Sequence, residues 1–351
     1  MSVPDQNSHE LNTHLRQLRG LIYGNWNTCV TCAFAELNLA DLLAAGERTA
    51  DELARATATD RDSLARFLRC AAGLGLVAWQ RKSETYTLTS LGELLTTDHP
   101  FSQRAAAQLN GADYRYQPWG RLVEVLQQGS SRGISPTAAQ GSLAYLADRP
   151  QQLAVFHRAM TDLSAGDNEA LARAYDFGRF AHVIDVGCGE GTLLKSILRE
   201  HPAATGTLFD LEATLPPLTA EDARAFAGRL RRQPGDFFQA VPAGADLYVM
   251  KNVIHNWPEA RALQLLHNVR AALVADPAPR AHKRLLVIEY VLTAGPSLAA
   301  WLDLNFLVLV DGRERTLDEY RALGARAGMT LTQAIATPIG RHILEFAVEL
   351  E

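Results

Sequence analysis

The sequence is poor in the features that mark several large classes of protein. Its 351 residues hold four cysteines, Cys29, Cys32, Cys70 and Cys188, too few for a disulfide framework at this length. No apolar run approaches the roughly 20 residues needed to cross a bilayer, so no membrane contact is expected. Met1 to Glu10 is polar and lacks the apolar core of a secretory signal. Neither sign of charge dominates: 34 Lys and Arg face 39 Asp and Glu, a net charge of −5. That balance argues against nucleic-acid binding, which needs a concentrated positive face. No carboxylate-rich cluster with ligand spacing stands out, and no metal is expected. Cys29-x-x-Cys32 has no second pair and lies in a helical apolar pattern, so it reads as core. A cytoplasmic protein is the simplest expectation.

What is present is ordinary globular composition, 47% hydrophobic and 21% charged, at a length that suits two domains. One stretch organises the rest. His182-Val183-Ile184-Asp185-Val186 runs straight into Gly187-Cys188-Gly189-Glu190-Gly191, and Leu193, Leu194, Ile197 and Leu198 follow at helical spacing. This reads as strand, tight turn and helix. Glycine suits the unusual φ/ψ of such a turn and the close approach of a ligand to the backbone. The start of the helix offers free N–H groups to an anion. A second apolar strand, Thr207-Leu208-Phe209, ends in Asp210, 23 positions past Gly187. That is close to the ~20-residue offset at which an acidic strand end meets a ribose hydroxyl.

Upstream, Leu11 to about Leu43 reads as one helix. Thr49 and Glu52 form a capping box. Asp60 to Leu74 is a further helix stopped by Gly75, and Val77-Trp79 with Tyr86-Leu88 reads as a hairpin. The set suggests a winged-helix unit. Its second helix carries Asp60 and Asp62 beside Arg61, Arg66 and Arg69, so a scaffold for dimer contacts fits better than a DNA reader. Tyr23, Trp26 and Phe34 suit a dimer core or a wall of the active site. Leu91 to Ala174 is mostly helical, broken at Pro100, Pro118, Gly129 to Gly133 and Pro136. Met160 lies four residues after Phe156 on a helix leading to the glycine turn, where both core packing and ligand contact fit. Tyr175 to Phe180 reads as a linker.

Beyond Asp210 strands and helices alternate. A helix over Leu218 to Leu230 precedes a strand over Arg232 to Phe238. Strands follow at Asp246-Lys251 and Leu285-Glu289, with a helix over Pro258 to Leu273 between them. Helices over Trp301-Val310 and Leu317-Ala327 precede two closing strands, Thr330-Ala336 and His342-Val348. This alternation describes a doubly wound α/β domain whose ligands sit at the carboxyl ends of the strands. Gly187, Asp210, Asp236, Lys251, His255 and Glu289 fall there.

The ordered set Asp185-Val186-Gly187-x-Gly189-x-Gly191, Leu208-Phe209-Asp210-Leu211, Gly235-Asp236-Phe237-Phe238, Asp246 through His255-Asn256-Trp257, and Gly312-Arg313-Glu314-Arg315-Thr316 resembles the S-adenosylmethionine-dependent small-molecule O-methyltransferases of plant phenolic and bacterial antibiotic-tailoring pathways. The resemblance covers nearly the whole chain. It implies an α/β, Rossmann-like seven-stranded methyltransferase domain preceded by a mostly α-helical, winged-helix-like dimerisation domain. The expected division is 1–100 for dimerisation, 101–178 as a helical connection and 179–351 as the catalytic domain. It further implies a homodimer, S-adenosyl-L-methionine as cofactor with S-adenosyl-L-homocysteine as product, and a small aromatic acceptor.

Residue by residue, the resemblance assigns the methionine part of the cofactor to Gly187 with Asp185 and Gly189, and its ribose to Asp210 beside Leu211. Asp236 and Phe237, with Gly235, would meet the adenine, and Lys251 lies nearby. His255 matches the general base. Glu289 and Glu314 match the acids that orient it. Asp303, Asn305, Asn256 and Met160 form the expected acceptor side. Position 256 is Asn where many relatives carry Asp, and position 188 is Cys where Gly is common. Methyl transfer is an in-line displacement helped by positioning and by a dry pocket. N- or C-methylation, a cofactor-dependent reaction without methyl transfer and a winged-helix ligand sensor remain the alternatives at this point.

Overall fold

The computed structural model describes residues 6–164, 166–275 and 282–348; the first half of the polar N-terminal stretch lies outside them. The chain forms two compact units, one running to Tyr116 and including Arg158–Leu163, the other comprising Gln117–His157 and the chain from Ser164 onward.

In the first unit the expected single helix is three: α1 (Gln6–Ile22), α2 (Gly24–Glu36) and α3 (Leu39–Ala44). The apolar periodicity runs across both breaks, but Tyr23 leaves the helical region at φ −95°, ψ 6°. Asn38 turns left-handed at φ 55°, a conformation its short polar side chain tolerates. A short strand β1 (Arg48–Thr49) follows, and Thr49 with Glu52 makes the expected capping box of α4 (Ala50–Thr57). Asp60 caps α5 (Arg61–Gly73), and Gly75 beyond it has φ +77°. The hairpin is β2 (Val77–Gln80) with β3 (Thr85–Leu88), and β1 adds a third antiparallel strand to it. Phe34, Leu39, Leu53, Leu64, Leu68 and Tyr86 form the core. Cys29, expected in that core, is exposed, its Sγ 3.3 Å from the Tyr116 hydroxyl.

The chain continues through α6 (Ser90–Glu93), α7 (Arg104–Gly111), α8 (Asp113–Gly120), α9 (Leu122–Gln128), α10 (Ser142–Leu146), α11 (Pro150–Leu163) and α12 (Asp167–Ala174). Pro118 does not break its helix. It removes one bond, that to the carbonyl four residues back, and α8 ends two residues later. The expected linker is part of the core, with Tyr175, Phe177 and Phe180 buried.

The second unit is built on strands β4 (His182–Val186), β5 (Thr205–Asp210), β6 (Leu230–Pro234), β7 (Leu247–Lys251), β8 (Arg284–Leu292), the two-residue β9 (Arg315–Thr316), β10 (Met329–Ala336) and β11 (Arg341–Val348). Seven run in the order β10-β11-β8-β7-β4-β5-β6, with β9 pairing β8 to one side. The β6-to-β8 segment of the sheet is parallel, and β11 and β10 close it antiparallel. Helices α13 (Thr192–Glu200), α14 (Ala220–Phe226), α15 (Glu259–Ala275), α16 (Leu298–Val310) and α17 (Leu317–Arg326) complete it. The helix expected to reach Leu230 stops at Phe226, because Ala227 and Gly228 are left-handed at φ 47° and 80°. The third strand therefore starts earlier than expected and ends at Pro234, leaving Gly235-Asp236-Phe237-Phe238 as a loop at its carboxyl end. Two apolar clusters flank the sheet, one around Val183, Leu194, Leu208 and Ile288, the other around Tyr248, Leu265, Val287 and Phe346. No helix among the described residues is long and apolar enough to cross a membrane.

Candidate active site

The parallel strands bring one group of expected residues together at their carboxyl ends. Gly187, Gly189 and Gly191 all adopt left-handed φ, 70°, 55° and 71°. Gly191 is required twice over: a Cβ there would stand 2.4 Å from Leu208 Cδ2. At Gly189 a Cβ would meet nothing within 4 Å, so the turn leaves open space beside exposed backbone. The N–H of Gly189 donates to Asp210 Oδ2 at 2.9 Å, and that of Leu211 to Asp210 Oδ1 at 2.7 Å. Burial pushes the Asp210 carboxyl up against the pull of these donors. Asp185 is fully buried beneath the turn. Burial raises it to about 7, while the Lys251 charge opposes the rise. Lys251 closes β7, and burial lowers it to about 8. Asp236 Oδ1 accepts the Phe238 N–H at 2.8 Å. Phe237, just past Gly235, packs edge-on to Phe238 at 4.7 Å and to Trp257 at 6.3 Å.

A second group assembles on the other side of β7. Asn252, left-handed at φ 59°, turns the chain out of the strand and into a one-turn 3-10 helix, Ile254–Asn256. That turn carries His255. Glu289 lies on β8, beside Ile288, the register partner of Lys251. Pairing of β9 with the end of β8 brings Glu314, the residue before β9, to the same place. His255 Nδ1 is 3.0 Å from Glu289 Oε2 and 3.0 Å from Glu314 Oε1. The proton therefore sits on Nδ1 and Nε2 is the acceptor. Glu289 Oε1 also accepts the N–H groups of Val253 and Ile254, both at 3.0 Å. Both carboxylates are completely buried. Burial alone would lower His255, but the Glu289 charge and the hydrogen bonds to both acids outweigh it and hold the imidazole at about 9. Burial raises Glu314, with the His255 contact opposing it and the Glu289 charge adding to it. The Phe306 ring covers the imidazole at 4.1 Å between centroids.

These three side chains are also the group among the described residues whose ligand atoms lie close enough for a cation, within 4.8 Å. No sequence spacing announced it, since the three come from remote segments. The His255 Nδ1–H already occupies the space between the carboxylates.

The expected acceptor-side residues are more scattered in role. Asp303 Oδ1 accepts the backbone N–H of Glu314 at 2.8 Å, so it holds that acid. Asn305 Oδ1 accepts from Trp119 Nε1 at 3.3 Å. Asn256 Nδ2 donates to the Asn252 carbonyl at 2.9 Å and ties the His255 turn to itself. Met160 is partly exposed on α11, in the first unit. Three polar residues were not found from sequence. Arg315 is buried and donates to the carbonyls of Trp257 and Arg313. Arg341 pairs with Asp167 and donates to Asn252 Oδ1. Asn168 bridges Lys251 and Thr192. Only adjacency to the Arg315 motif hinted at any of them; the partners of Arg341 and Asn168 lie far away in sequence.

A sheet of this order, with a glycine turn after β4 and an acidic residue ending β5, defines a nucleoside-cofactor-binding α/β enzyme. Residues 119–330 match the O-methyltransferase domain model and residues 20–98 the O-methyltransferase dimerisation domain model. The chain belongs to this family and is an S-adenosylmethionine-dependent O-methyltransferase carrying a dimerisation domain. It is similar to the phenazine O-methyltransferase of Lysobacter antibioticus, 34% identical over 328 residues that cover 93% of this chain and 94% of that one. It is also similar to the 8-amino-8-demethylriboflavin N,N-dimethyltransferase of Streptomyces davaonensis, 34% identical over 311 residues and 86% of each chain. Among solved structures it resembles an O-methyltransferase from neocarzinostatin biosynthesis in complex with S-adenosylmethionine and 2-hydroxy-5-methyl naphthoic acid. There the TM-score is 0.78 at 30% identity, over 92% of this chain and 96% of that one.

Proposed function

We propose that this enzyme methylates a hydroxyl of a small aromatic natural product, in antibiotic or related secondary metabolism, with His255 as the general base. The observation that carries the reading is the placement of His255 Nδ1 at 3.0 Å from two buried carboxylates. A phenol has a pKa of about 10 and an ordinary histidine about 6.5. With the imidazole held at about 9, the gap to the phenol shrinks to about one unit, so the neutral imidazole takes the phenolic proton at little cost. An aromatic amine attacks through its lone pair before it loses a proton, so it gains less from a base raised this far. The match therefore favours a hydroxyl over the amine of the N,N-dimethylating relative.

Bound S-adenosylmethionine supplies a methyl group on a sulfonium. The residues fit such a ligand: the turn at Gly189 leaves room beside free backbone, and Asp210 keeps lone pairs after accepting two N–H bonds. Gly187, Gly189 and Asp185 would hold its methionine part, Asp210 and Leu211 its ribose, and Gly235, Asp236 and Phe237 its adenine, with Lys251 alongside. His255 Nε2 takes the acceptor's proton as the bond to carbon forms. Glu289 and Glu314 stabilise the resulting imidazolium, and Phe306 helps exclude water. Asn256, Asp303 and Asn305 make up the acceptor side in this reading.

The working form in this reading is a homodimer. Leu11, Leu18, Ile22 and Trp26 on α1 and α2 leave their apolar side chains exposed in the single chain, and a second copy would cover them. Four free cysteines suit the reducing cytoplasm. Calorimetric titration with S-adenosylhomocysteine tests the cofactor half: wild type binds, and Asp210→Ala binds far more weakly. Turnover on phenolic acceptors, followed by mass shift, tests the base. His255→Ala keeps its affinity for S-adenosylhomocysteine and loses about 10²- to 10⁴-fold in turnover. Full turnover in that variant overturns the role of His255.

A further inference from the structure

Asn168, at the start of α12, is buried, 7% exposed, and has no part in the mechanism above. Its Nδ2 donates to Thr192 Oγ1 at 2.9 Å, and its Oδ1 accepts from Lys251 Nζ at 2.6 Å. Thr192 is the first residue of α13, directly behind the glycine turn. Lys251 is the last residue of β7, directly before the turn that carries His255. One amide, which offers both a donor and an acceptor, thus spans the two segments that would face the cofactor from either side. The neighbouring Asp167 Oδ2 lies 3.2 Å from Arg341 Nε, and Arg341 in turn donates to Asn252 Oδ1 at 2.5 Å. The docking of α12 does not need these contacts, because Leu171 and Ala172 already anchor it in the core. Two polar links at one helix start, both ending on the loops at the carboxyl edge of the sheet, exceed what packing requires.

We propose that Asn168 is a positioning residue for the cofactor, holding the start of α13 to the end of β7 and so fixing the width of the cleft between them. The inference rests on the cofactor reading above. Removing the amide releases Thr192 and leaves a buried lysine without its hydrogen bond. The glycine turn and β7 can then drift apart, and the bound state must restore the spacing.

Affinity for S-adenosylhomocysteine by calorimetry is the direct readout, with KM for the cofactor and kcat measured beside it. Asn168→Ala weakens binding about ten-fold and raises KM for the cofactor, while kcat at saturation changes little. Thr192→Val, which breaks one arm, gives a smaller loss in the same direction. Asn168→Asp restores affinity, since its carboxylate accepts from Lys251 and from the Thr192 hydroxyl. Urea midpoints are measured for all three. Asn168→Ala binding as tightly as wild type overturns the inference while leaving the cofactor site intact, provided Asp210→Ala has lost binding. Affinity that falls only in step with the urea midpoint, without rescue by Asn168→Asp, also overturns it and marks a purely structural contact. Wild type that fails to bind at all overturns both the cofactor reading and this one.

Discussion

Asp210 and Glu314 are both buried carboxylates at the carboxyl edge of one sheet, and they are held in opposite ways. Asp210 spends its two oxygens on the N–H groups of Gly189 and Leu211: its own neighbour and the turn on the adjacent strand. Glu314 meets His255 through Oε1, and its Oε2 has no hydrogen-bond partner. Glu289 stands between them, with one oxygen on backbone N–H groups and the other on the imidazole. A carboxylate satisfied by backbone is placed by the fold and stays put. A carboxylate satisfied only by a side chain is poised to exchange charge with it, because each sets the other's proton affinity. The cofactor side is thus built for a fixed shape and the base side for a movable proton.

Stability draws the distinction most sharply. Glu289→Ala strips His255 of its strongest electrostatic partner and orphans the N–H groups of Val253 and Ile254. The expected cost is about 3–5 kcal/mol, read as a fall in the urea midpoint. Glu314→Ala removes a partner that shares the imidazole and supports no backbone group, so its cost is clearly smaller. Equal midpoints for the two variants would break the comparison.

Within the glycine turn, Gly191→Ala forces a side chain into φ +71° and against the buried Leu208. The expected destabilisation is roughly 2–5 kcal/mol. Gly189→Ala shares the left-handed backbone but meets open space, so it costs only the strain, about 1–2 kcal/mol, and the difference between the two variants measures the packing alone.

The movable proton makes activity and stability run in opposite directions with pH. His255 sits at about 9 when folded and at about 6.5 when unfolded. A raised basic group contributes its full stabilisation below about 6.5, and that contribution is lost as pH rises through about 9. Turnover needs the neutral imidazole, so kcat/KM rises over the same interval. Urea midpoints and rates measured from pH 6 to pH 9.5 should cross. In Glu289→Gln the largest raising charge is gone and Glu314 alone opposes burial, so the rise in kcat/KM shifts to lower pH.

The two regions also differed in how much of them could be read from the chain. The glycine turn was legible because its cause is local: β-branched residues, three glycines and a helical repeat lie within a few positions, and Asp210 follows at a fixed offset. The base was found only through resemblance to a family. Residues 255, 289 and 314 meet because β7, β8 and β9 are neighbours, and nothing in spacing reveals that pairing. Asn168 and Arg341 stayed hidden for the same reason. Near the N-terminus the apolar repeat continued through Tyr23 and Asn38 and hid two breaks. A periodicity reports which face is apolar, whereas the break is set by the backbone conformation of single residues.

Asp222 extends the comparison to a carboxylate held both ways, and carries the smallest expected effect. It accepts the N–H of Thr219 at 3.0 Å within the capping box of α14, and Lys195 of α13 lies 3.0 Å away. Burial would raise it, but the Thr219 N–H and the lysine together hold it below the usual carboxylate range. Thr219→Ala removes the hydroxyl that accepts the Asp222 N–H, and with it the weakest hold on the Asp222 carboxylate, and leaves the Thr219 N–H and Lys195 in place, at a cost of about 1 kcal/mol. If local backbone is what keeps a carboxylate in place, Asp222 stays ionised in this variant and its stability loss is independent of pH above about 5. A loss that shrinks as the pH falls from 7 to 5 would mean that the cap itself had been holding the charge, and the division between fixed and movable carboxylates would have to be redrawn around side-chain contacts.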